Sequence, residues 1–151
     1  MKKLLILLIF IYGELYALER ESTLKIYHNI FSAISSKTPV YIYTNDKEYR
    51  DVFKYSKRII LTNRIEKSDM VLITEDRTLK YVLEKIEENK GKIKIPLLFV
   101  TKYQLLELSE DIVGAFYWRK GRSQLLFIKK RLDKHNIRLP QKYQNFMIDE
   151  L

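Results

Sequence analysis

The sequence predicts a small α/β domain with a mostly parallel sheet, helices on both faces of that sheet, a C-terminal β-hairpin at the sheet edge and a closing helix. Strand-like apolar runs alternate with amphipathic helical segments along most of the chain. The strand-like runs are almost entirely apolar, which is typical of parallel strands buried on both faces. Near the C-terminus the alternation stops, and two strand-like runs flank a short basic turn. We therefore expect a Rossmann- or flavodoxin-like arrangement that ends in an antiparallel hairpin.

The first helix and the first strand follow from residue spacing. From Lys25 to Ile34 apolar residues recur at helical intervals, and residues 35–39 end the helix with polar residues and a proline. Residues 40–44 are mostly β-branched or aromatic, which indicates a strand. The residues expected on one buried helical face are Leu24, Tyr27, Phe31 and Ile34.

The next elements continue the alternation. Asn45 and Asp46 form a capping turn, after which residues 47–57 have a helical pattern. Residues 58–62 and 69–74 are strand-like, and the second of these runs is nearly all apolar. We expect that second strand to be buried on both of its faces.

A third helix and a fourth strand complete the alternating part. Residues 78–89 have apolar residues at helical spacing, and Asn89-Lys90-Gly91 is a typical helix end. Residues 95–101 form the next strand, with proline near its start, where it is tolerated. A short helix is expected over residues 102–108.

The last forty residues have a different pattern. Residues 112–118 and 123–128 are strand-like, and Arg119-Lys120-Gly121-Arg122 between them is a turn signal. This combination predicts an antiparallel hairpin at the edge of the sheet. A helix begins at residue 129, and we expect a closing helix over residues 141–151.

Residues 1–17 have the pattern of a secretory signal peptide. Two lysines precede an apolar run over residues 4–12, and Ala17 is a small residue at the expected cleavage site. The run is too short for a membrane span, which takes about 20 apolar residues. We expect cleavage after Ala17 and a single periplasmic domain over residues 18–151; retention of the segment as a short anchor is the alternative.

The sequence carries no recognisable catalytic motif. It contains no cysteine, which excludes thiolate zinc sites, lipoprotein attachment and cysteine nucleophiles. It also lacks the glycine patterns of phosphate loops, dinucleotide sites and serine hydrolases. His28 and His135 lie far apart in the chain, and neither has a second ligand at metal spacing. We expect a non-enzymatic protein without catalytic residues, metal or cofactor.

A receiver-like layout of acids is present but incomplete. Asp46, Asp76 and Lys102 fall loosely where a response-regulator receiver places its acids and its lysine. Thr74, however, ends the third strand at the place of a phospho-acceptor aspartate. We interpret the likeness as shared topology alone.

Basic residues are concentrated near the C-terminus. The net charge is +9, and the segment from Val113 to Lys142 contains nine basic residues and one acid. This segment is either a solvated face or a surface for an anionic partner. Aromatic and arginine residues are common interface anchors, so the hairpin is the candidate partner-binding surface. Its candidate residues are Phe116, Trp118, Arg119, Lys120 and Arg122.

Two alternatives apply to this candidate surface. Phe116 and Trp118 would share one face of the strand, and both could simply cover the core. Basic residues among aromatics can also bind nucleic acid, but we expect no nucleic acid partner in the periplasm. A homodimer and contact with an anionic membrane surface stay open.

The strand ends offer a second candidate site. All four strands of the alternating part end in threonine, and ligands of open α/β sheets bind outside the carboxyl ends of the strands. The alternative is that Asn45, Asp46 and Asp76 are ordinary helix caps and that threonine is simply a common strand residue. The candidate rim residues are Thr44, Asn45, Asp46, Thr74, Glu75, Asp76 and Lys102.

From residue 27 onward the chain resembles the YfiR-like family of periplasmic proteins. The shared features are the first amphipathic helix, Thr38-Pro39 before the first strand, the third strand over residues 68–73 and the hairpin over residues 121–130. Phe127 matches the phenylalanine of the family's F-x-I-N pattern, whereas Lys130 stands where its asparagine would be, and the family's cysteines are missing.

The resemblance implies a periplasmic regulator that binds the sensory domain of an inner-membrane signalling protein, such as a diguanylate cyclase or a sensor kinase. The alternative function is that of a small periplasmic solute-binding or transport accessory protein that uses the threonine-rich rim of the sheet.

Overall fold

The structure is a computed structural model that describes the backbone of residues 2–151 and the side chains of residue 17 and residues 19–151. The α-helices are α1 (Lys2–Ile34), α2 (Lys47–Phe53), α3 (Asp76–Glu88) and α4 (Lys129–Lys134). The strands are β1 (Val40–Tyr43), β2 (Ile59–Thr62), β3 (Met70–Ile73), β4 (Leu97–Val100), β5 (Ile112–Arg119), β6 (Arg122–Ile128) and β7 (Met147–Ile148). Short 3₁₀ helices span Ile65–Lys67, Tyr103–Leu108 and Gln141–Phe146.

The strands form one sheet in the order β2-β1-β3-β4-β5-β6-β7. The first five strands of that order are parallel to their neighbours, β6 is antiparallel to β5, and β7 is parallel to β6. The predicted α/β fold class, with a mostly parallel sheet, is confirmed. The chain runs from β1 outward to β2 and then back across to β3, so the strand order reverses between β1 and β3. Such a reversal is the usual ligand position in open α/β sheets.

Two hydrophobic clusters cover the two faces of the sheet. On β3, Met70 and Leu72 belong to one cluster, whereas Val71 and Ile73 belong to the other, as expected for a strand buried on both faces. Helices α1 and α2 pack on the first face, and α3 packs on the second. The predicted helical face of α1 is confirmed. Its buried residues are Tyr27, Ile30, Phe31 and Ile34, and Leu24 packs beside them.

A bulge in β5 determines which side chains of the hairpin face α1. Leu98 of β4 pairs with Ile112, but the next residue, Phe99, pairs with Gly114. The extra residue puts Val113 and Phe116 in the same cluster although they lie three positions apart. A Cβ atom on Gly114 would lie 2.6 Å from the carbonyl oxygen of Leu126. The close approach of the two strands therefore requires glycine here.

The predicted antiparallel hairpin is confirmed. Its strands pair in register from Gly114 and Phe127 to Arg119 and Arg122. The two linking residues both have positive φ, at 50° for Lys120 and 74° for Gly121. This is the two-residue turn whose twist matches that of paired strands.

Two helices are shorter than the sequence pattern indicates. The helix expected over residues 47–57 ends at Phe53. Beyond it, the Ser56 hydroxyl oxygen accepts hydrogen bonds from the backbone N–H groups of Arg58 and Ile59, and so directs the chain into β2. The short helix expected over residues 102–108 is the 3₁₀ helix Tyr103–Leu108.

The closing helix over residues 141–151 was a wrong prediction. The 3₁₀ helix there ends at Phe146, and Met147 and Ile148 pair with Phe127 and Ile128 of β6 instead. The pairing occupies backbone groups at the edge of β6 that would otherwise be open. Residues 122–126 of β6 keep their outer edge unpaired within the described part of the chain, so the hairpin lies at the edge only in that half.

The proposed signal peptide and the mature domain stay predictions. The backbone of α1 runs without a break past Ala17, and the side chains of residues 1–16 lie outside the described part of the structure. Among the described residues, no helix combines the length and the apolar character that a membrane crossing needs.

Candidate functional site

The tip of the hairpin carries three exposed cations. Arg119 and Arg122 are a register pair, and Lys120 lies in the turn between them. None of the three belongs to an ion pair among the side chains of residues 17 and 19–151. The tip is therefore a local concentration of positive charge that the described part of the protein does not neutralise.

Phe116 and Trp118 have different environments. Phe116 is half-buried against the first-face cluster, with its ring centroid 5.9 Å from that of Tyr27 in an edge-to-face arrangement. Trp118 is 73% exposed and is the single tryptophan of the chain. The interpretation that both residues cover the core is thus right for Phe116 and wrong for Trp118.

A groove of about 730 Å³ runs between α1, α2 and the hairpin. Its floor includes Tyr27, whose hydroxyl donates a hydrogen bond to the Tyr49 hydroxyl at 3.1 Å. Burial, and then the neighbouring Tyr49, raises the pKa of Tyr27 well above its ordinary value. Burial also raises the pKa of Tyr49, so both phenols are neutral at physiological pH. The groove lining also contains the charged residues Glu19, Arg20, Glu48, Asp51 and Lys54. Trp118 borders this groove at its hairpin side.

A second cavity, of about 500 Å³, lies where β4 and β5 end. The rings of Tyr103 and Tyr117 line it with their centroids 5.4 Å apart, and Trp118 borders this cavity as well. Lys102 and Arg119 supply two positive charges, and no acidic residue belongs to the lining. We call this space the β4–β5 cavity. Its lining residues are Thr101, Lys102, Tyr103, Gln104, Tyr117, Trp118 and Arg119.

At the β1 end of the predicted rim, the polar groups are engaged in local hydrogen bonds. The Asn45 carboxamide donates to the Thr78 hydroxyl oxygen at 2.9 Å, and the Thr78 hydroxyl lies 3.1 Å from the Asn45 carbonyl oxygen. Asp46 is the N-cap of α2 and accepts from the backbone N–H of Tyr49 at 3.1 Å. Thr44 is fully buried and accepts from the backbone N–H of Asp46. These contacts agree with the capping interpretation of Asp46.

At the β3 end the capping interpretation fails for Asp76. Thr74 is buried, and Glu75 occupies the N-cap position of α3 without a side-chain cap hydrogen bond. Asp76 is the first residue of α3, where its carboxylate interacts favourably with the helix dipole. Lys102, the seventh rim residue, lies away from this group and lines the β4–β5 cavity.

The two histidines lie at separate places. His28 Nε2 is 2.6 Å from the Ser56 hydroxyl oxygen, and burial, together with the charge of Arg58, lowers its pKa. Burial also lowers the pKa of His135, which follows α4. Within the described part of the chain, no cluster of three or more histidine, aspartate or glutamate side chains could hold a metal ion.

Sequence reasoning missed four residues of the β4–β5 cavity, namely Thr101, Tyr103, Gln104 and Tyr117. A signal was available, because Thr101 ends a predicted parallel strand, residues 102–104 directly follow it, and Tyr117 lies near the end of the next strand. Neighbouring parallel strands place their carboxyl ends side by side. The missing step was the assignment of β5 as the parallel neighbour of β4.

Comparisons with protein-family models, with curated proteins and with solved structures give no match. The functional argument therefore depends on the residues of this chain and on their geometry.

Proposed function

We propose that this is a non-enzymatic periplasmic regulatory protein whose hairpin docks on the sensory domain of an inner-membrane signalling protein. The observation that carries the proposal is the exposed Trp118 beside the three cations of the hairpin tip. None of these cations has an ion-pair partner among the described side chains. The resemblance to YfiR-like proteins supports the partner class, and the pattern of residues 1–17 supports the compartment.

The chemistry of the tip suits a protein partner. Tryptophan and arginine are enriched among the residues that dominate interface energetics. An indole brings a large apolar surface with little conformational freedom to lose, and an arginine forms paired hydrogen bonds with carboxylates. We therefore expect the partner to present an acidic patch with an apolar pocket for Trp118.

The hairpin also presents these groups in a defined geometry. The strands pair without interruption from Gly114 to the turn, and the turn itself has only two residues. A preorganised surface loses less entropy on binding than a flexible loop does. The aromatic and the cations can thus act together as one docking surface.

Protection of an exposed strand edge is the competing explanation for the cations. Lysine and arginine at sheet edges discourage unwanted pairing between strands, and the outer edge of residues 122–126 is unpaired among the described residues. Protection would explain the cations, but it gives no reason for an indole that is 73% exposed. Docking accounts for both features.

The test compares two charge-reversal variants. The partner is first captured from native inner membranes by crosslinking and identified by mass spectrometry. Its affinity is then measured for Arg119→Glu combined with Arg122→Glu, and for the control Lys80→Glu combined with Lys92→Glu, which changes the same charge away from the hairpin. We expect a loss of about tenfold or more for the hairpin variant, equivalent to about 1.4 kcal/mol, and little change for the control.

Salt and thermal measurements complete the test. Association should weaken as salt is raised, because exposed charges are screened over about 8 Å at physiological ionic strength. The melting temperature of the hairpin variant should stay near that of the natural chain. If affinity is the same in both variants and at all salt concentrations, the docking proposal is wrong. Retention on vesicles of anionic lipid without any protein partner would also contradict it.

A further inference from the structure

We propose that the β4–β5 cavity binds a small planar anion, meaning a flat ring that carries a carboxylate or a phosphate. This site combines one residue of the predicted rim, Lys102, with two residues of the predicted docking surface, Trp118 and Arg119. The inference does not depend on the proposed function, because it concerns a ligand of the isolated chain.

Two aromatic side chains, those of Tyr103 and Tyr117, supply the apolar walls. Tyr103 and Tyr117 lie at an interplanar angle of 56°, and they pack against the second-face cluster, which holds the rings in place. Trp118 borders the cavity with most of its surface still accessible. Aromatic faces of this kind favour a flat, apolar ring as ligand, because stacked or edge-to-face contacts between rings are attractive.

The charges of the lining select an anion. Lys102 and Arg119 both line the cavity, and neither belongs to an ion pair among the side chains of residues 17 and 19–151. A cleft with charges of one sign attracts ligands of the opposite sign. The guanidinium of Arg119 can bind a carboxylate or phosphate through two hydrogen bonds, and the ammonium of Lys102 adds a second positive charge.

The position and the size of the cavity fit a small ligand. It lies at the carboxyl ends of two adjacent parallel strands, where open α/β sheets bind their ligands. Its volume of about 500 Å³ falls within the usual range for small-molecule sites. Thr101 and Gln104 supply the few polar groups that such sites use to orient a ligand.

Trp118 makes the site directly measurable. Because the chain has no other tryptophan, its fluorescence reports on Trp118, which borders both this cavity and the groove between α1, α2 and the hairpin. The matched variants described next assign a change of fluorescence to one of the two sites. The full chain is titrated with benzoate and with AMP, which represent the carboxylate and the phosphate forms of the ligand. Benzamide and adenosine are the neutral counterparts, and calorimetry measures the same titrations independently. We expect at least one of the two anions to bind saturably and at least tenfold more tightly than its neutral counterpart.

Two matched pairs of substitutions distinguish anion binding in the cavity from nonspecific attraction to the positive charge of the hairpin. Lys102→Gln combined with Arg119→Gln removes both lining cations, whereas Lys120→Gln combined with Arg122→Gln removes two cations of the same hairpin that lie outside the lining. We expect the first pair to weaken anion binding at least tenfold and the second to change it less than twofold. Tyr103→Leu should weaken the anion and its neutral counterpart together.

The outcome identifies the source of the ligand. Binding of benzoate alone indicates an aromatic carboxylate, and binding of AMP alone indicates a nucleotide-like phosphate. The inference is overturned if neither anion binds saturably below about 10 mM, if the neutral compounds bind equally well, or if both cation pairs have the same effect. These measurements use no partner protein, so failure here leaves the docking proposal standing, and failure of docking leaves this site standing.

Discussion

The two ends of the carboxyl edge of the sheet differ in what their polar side chains do. At the β1–β3 end, Asn45 bonds to Thr78, and Asp46 caps α2. At the β4–β5 end, Lys102 and Arg119 have no ion-pair partner among the described side chains. The reversal of strand order favours the first end. The comparison teaches that a favourable position in the strand order does not by itself make a ligand site. The polar side chains there must also be free of local hydrogen bonds.

The largest effect on stability should come from the residue that positions the β4–β5 end. In Gly114→Ala, the added methyl group meets the Leu126 carbonyl oxygen at 2.6 Å and the rings of Phe99 and Phe127 at 3.0 Å. We expect the free energy of unfolding to fall by about 1–3 kcal/mol, because an overpacked site must shift its neighbours. Urea denaturation measures this.

The matched control for Gly114→Ala is Gly91→Ala, which has no atom within 4 Å of the added carbon. That control carries its own cost from positive φ, at 76°, but it leaves the hairpin untouched. If Gly114→Ala has the same Trp118 fluorescence and the same stability as the natural chain, then the bulge does not determine the position of Trp118.

An intermediate effect should come from the hydrogen-bonded β1–β3 end. Asp46→Ala removes the N-cap of α2, and we expect a loss of about 1 kcal/mol of stability. Ligand and partner binding should stay unchanged, because this end contributes nothing to either. Thermal denaturation and the two binding assays check the expectation.

Asp51→Ala is the control for Asp46→Ala, since Asp51 lies on α2 in an exposed ion pair with Lys54 that contributes little to stability. Full loss of binding in a folded Asp46→Ala protein would show that the β1–β3 end carries function and would reverse the comparison.

The smallest effect on stability is expected for the most exposed residue of the β4–β5 end. Trp118→Ala should change the free energy of unfolding by no more than about 0.5 kcal/mol, because the indole is 73% exposed. Phe116→Ala, two residues earlier on the same strand, should cost about 1 kcal/mol through its lost packing against Tyr27, because the ring is only half-buried. Guanidinium denaturation of both variants measures the difference, and equal losses would place Trp118 in the core.

Much of the fold could be predicted because short-range patterns specify it. The apolar run of β3, the helical face around Tyr27 and Phe31, and the turn at Lys120-Gly121 each carry their own local signal. The failed elements depend on long-range contacts. The chain forms β7 at Met147 only because β6 offers an unpaired edge, and no local pattern of residues 141–151 indicates that partner.

The candidate site could be predicted only in part for the same reason. Trp118 and Arg119 were identified from composition and charge, which the sequence displays directly. The contact between the rings of Tyr103 and Tyr117 depends on the order of the strands and on the bulge at Gly114. That bulge changes the side of the sheet that each later residue of β5 faces, so simple alternation counted from Ile112 gives the wrong face for Phe116.

The uninterrupted course of α1 past Ala17 has a consequence for processing. Cleavage at the predicted position would create a new amino terminus at Leu18, in the middle of α1. A positive α-amino group at the start of a helix is unfavourable, because the helix dipole has its positive end there. Glu19 and Glu21 would then be first-turn residues, and their carboxylates would offset that charge by about 0.3–1 kcal/mol each. A chain cleaved at the predicted position would therefore keep a helix start whose acidic residues offset the charge of its new amino terminus.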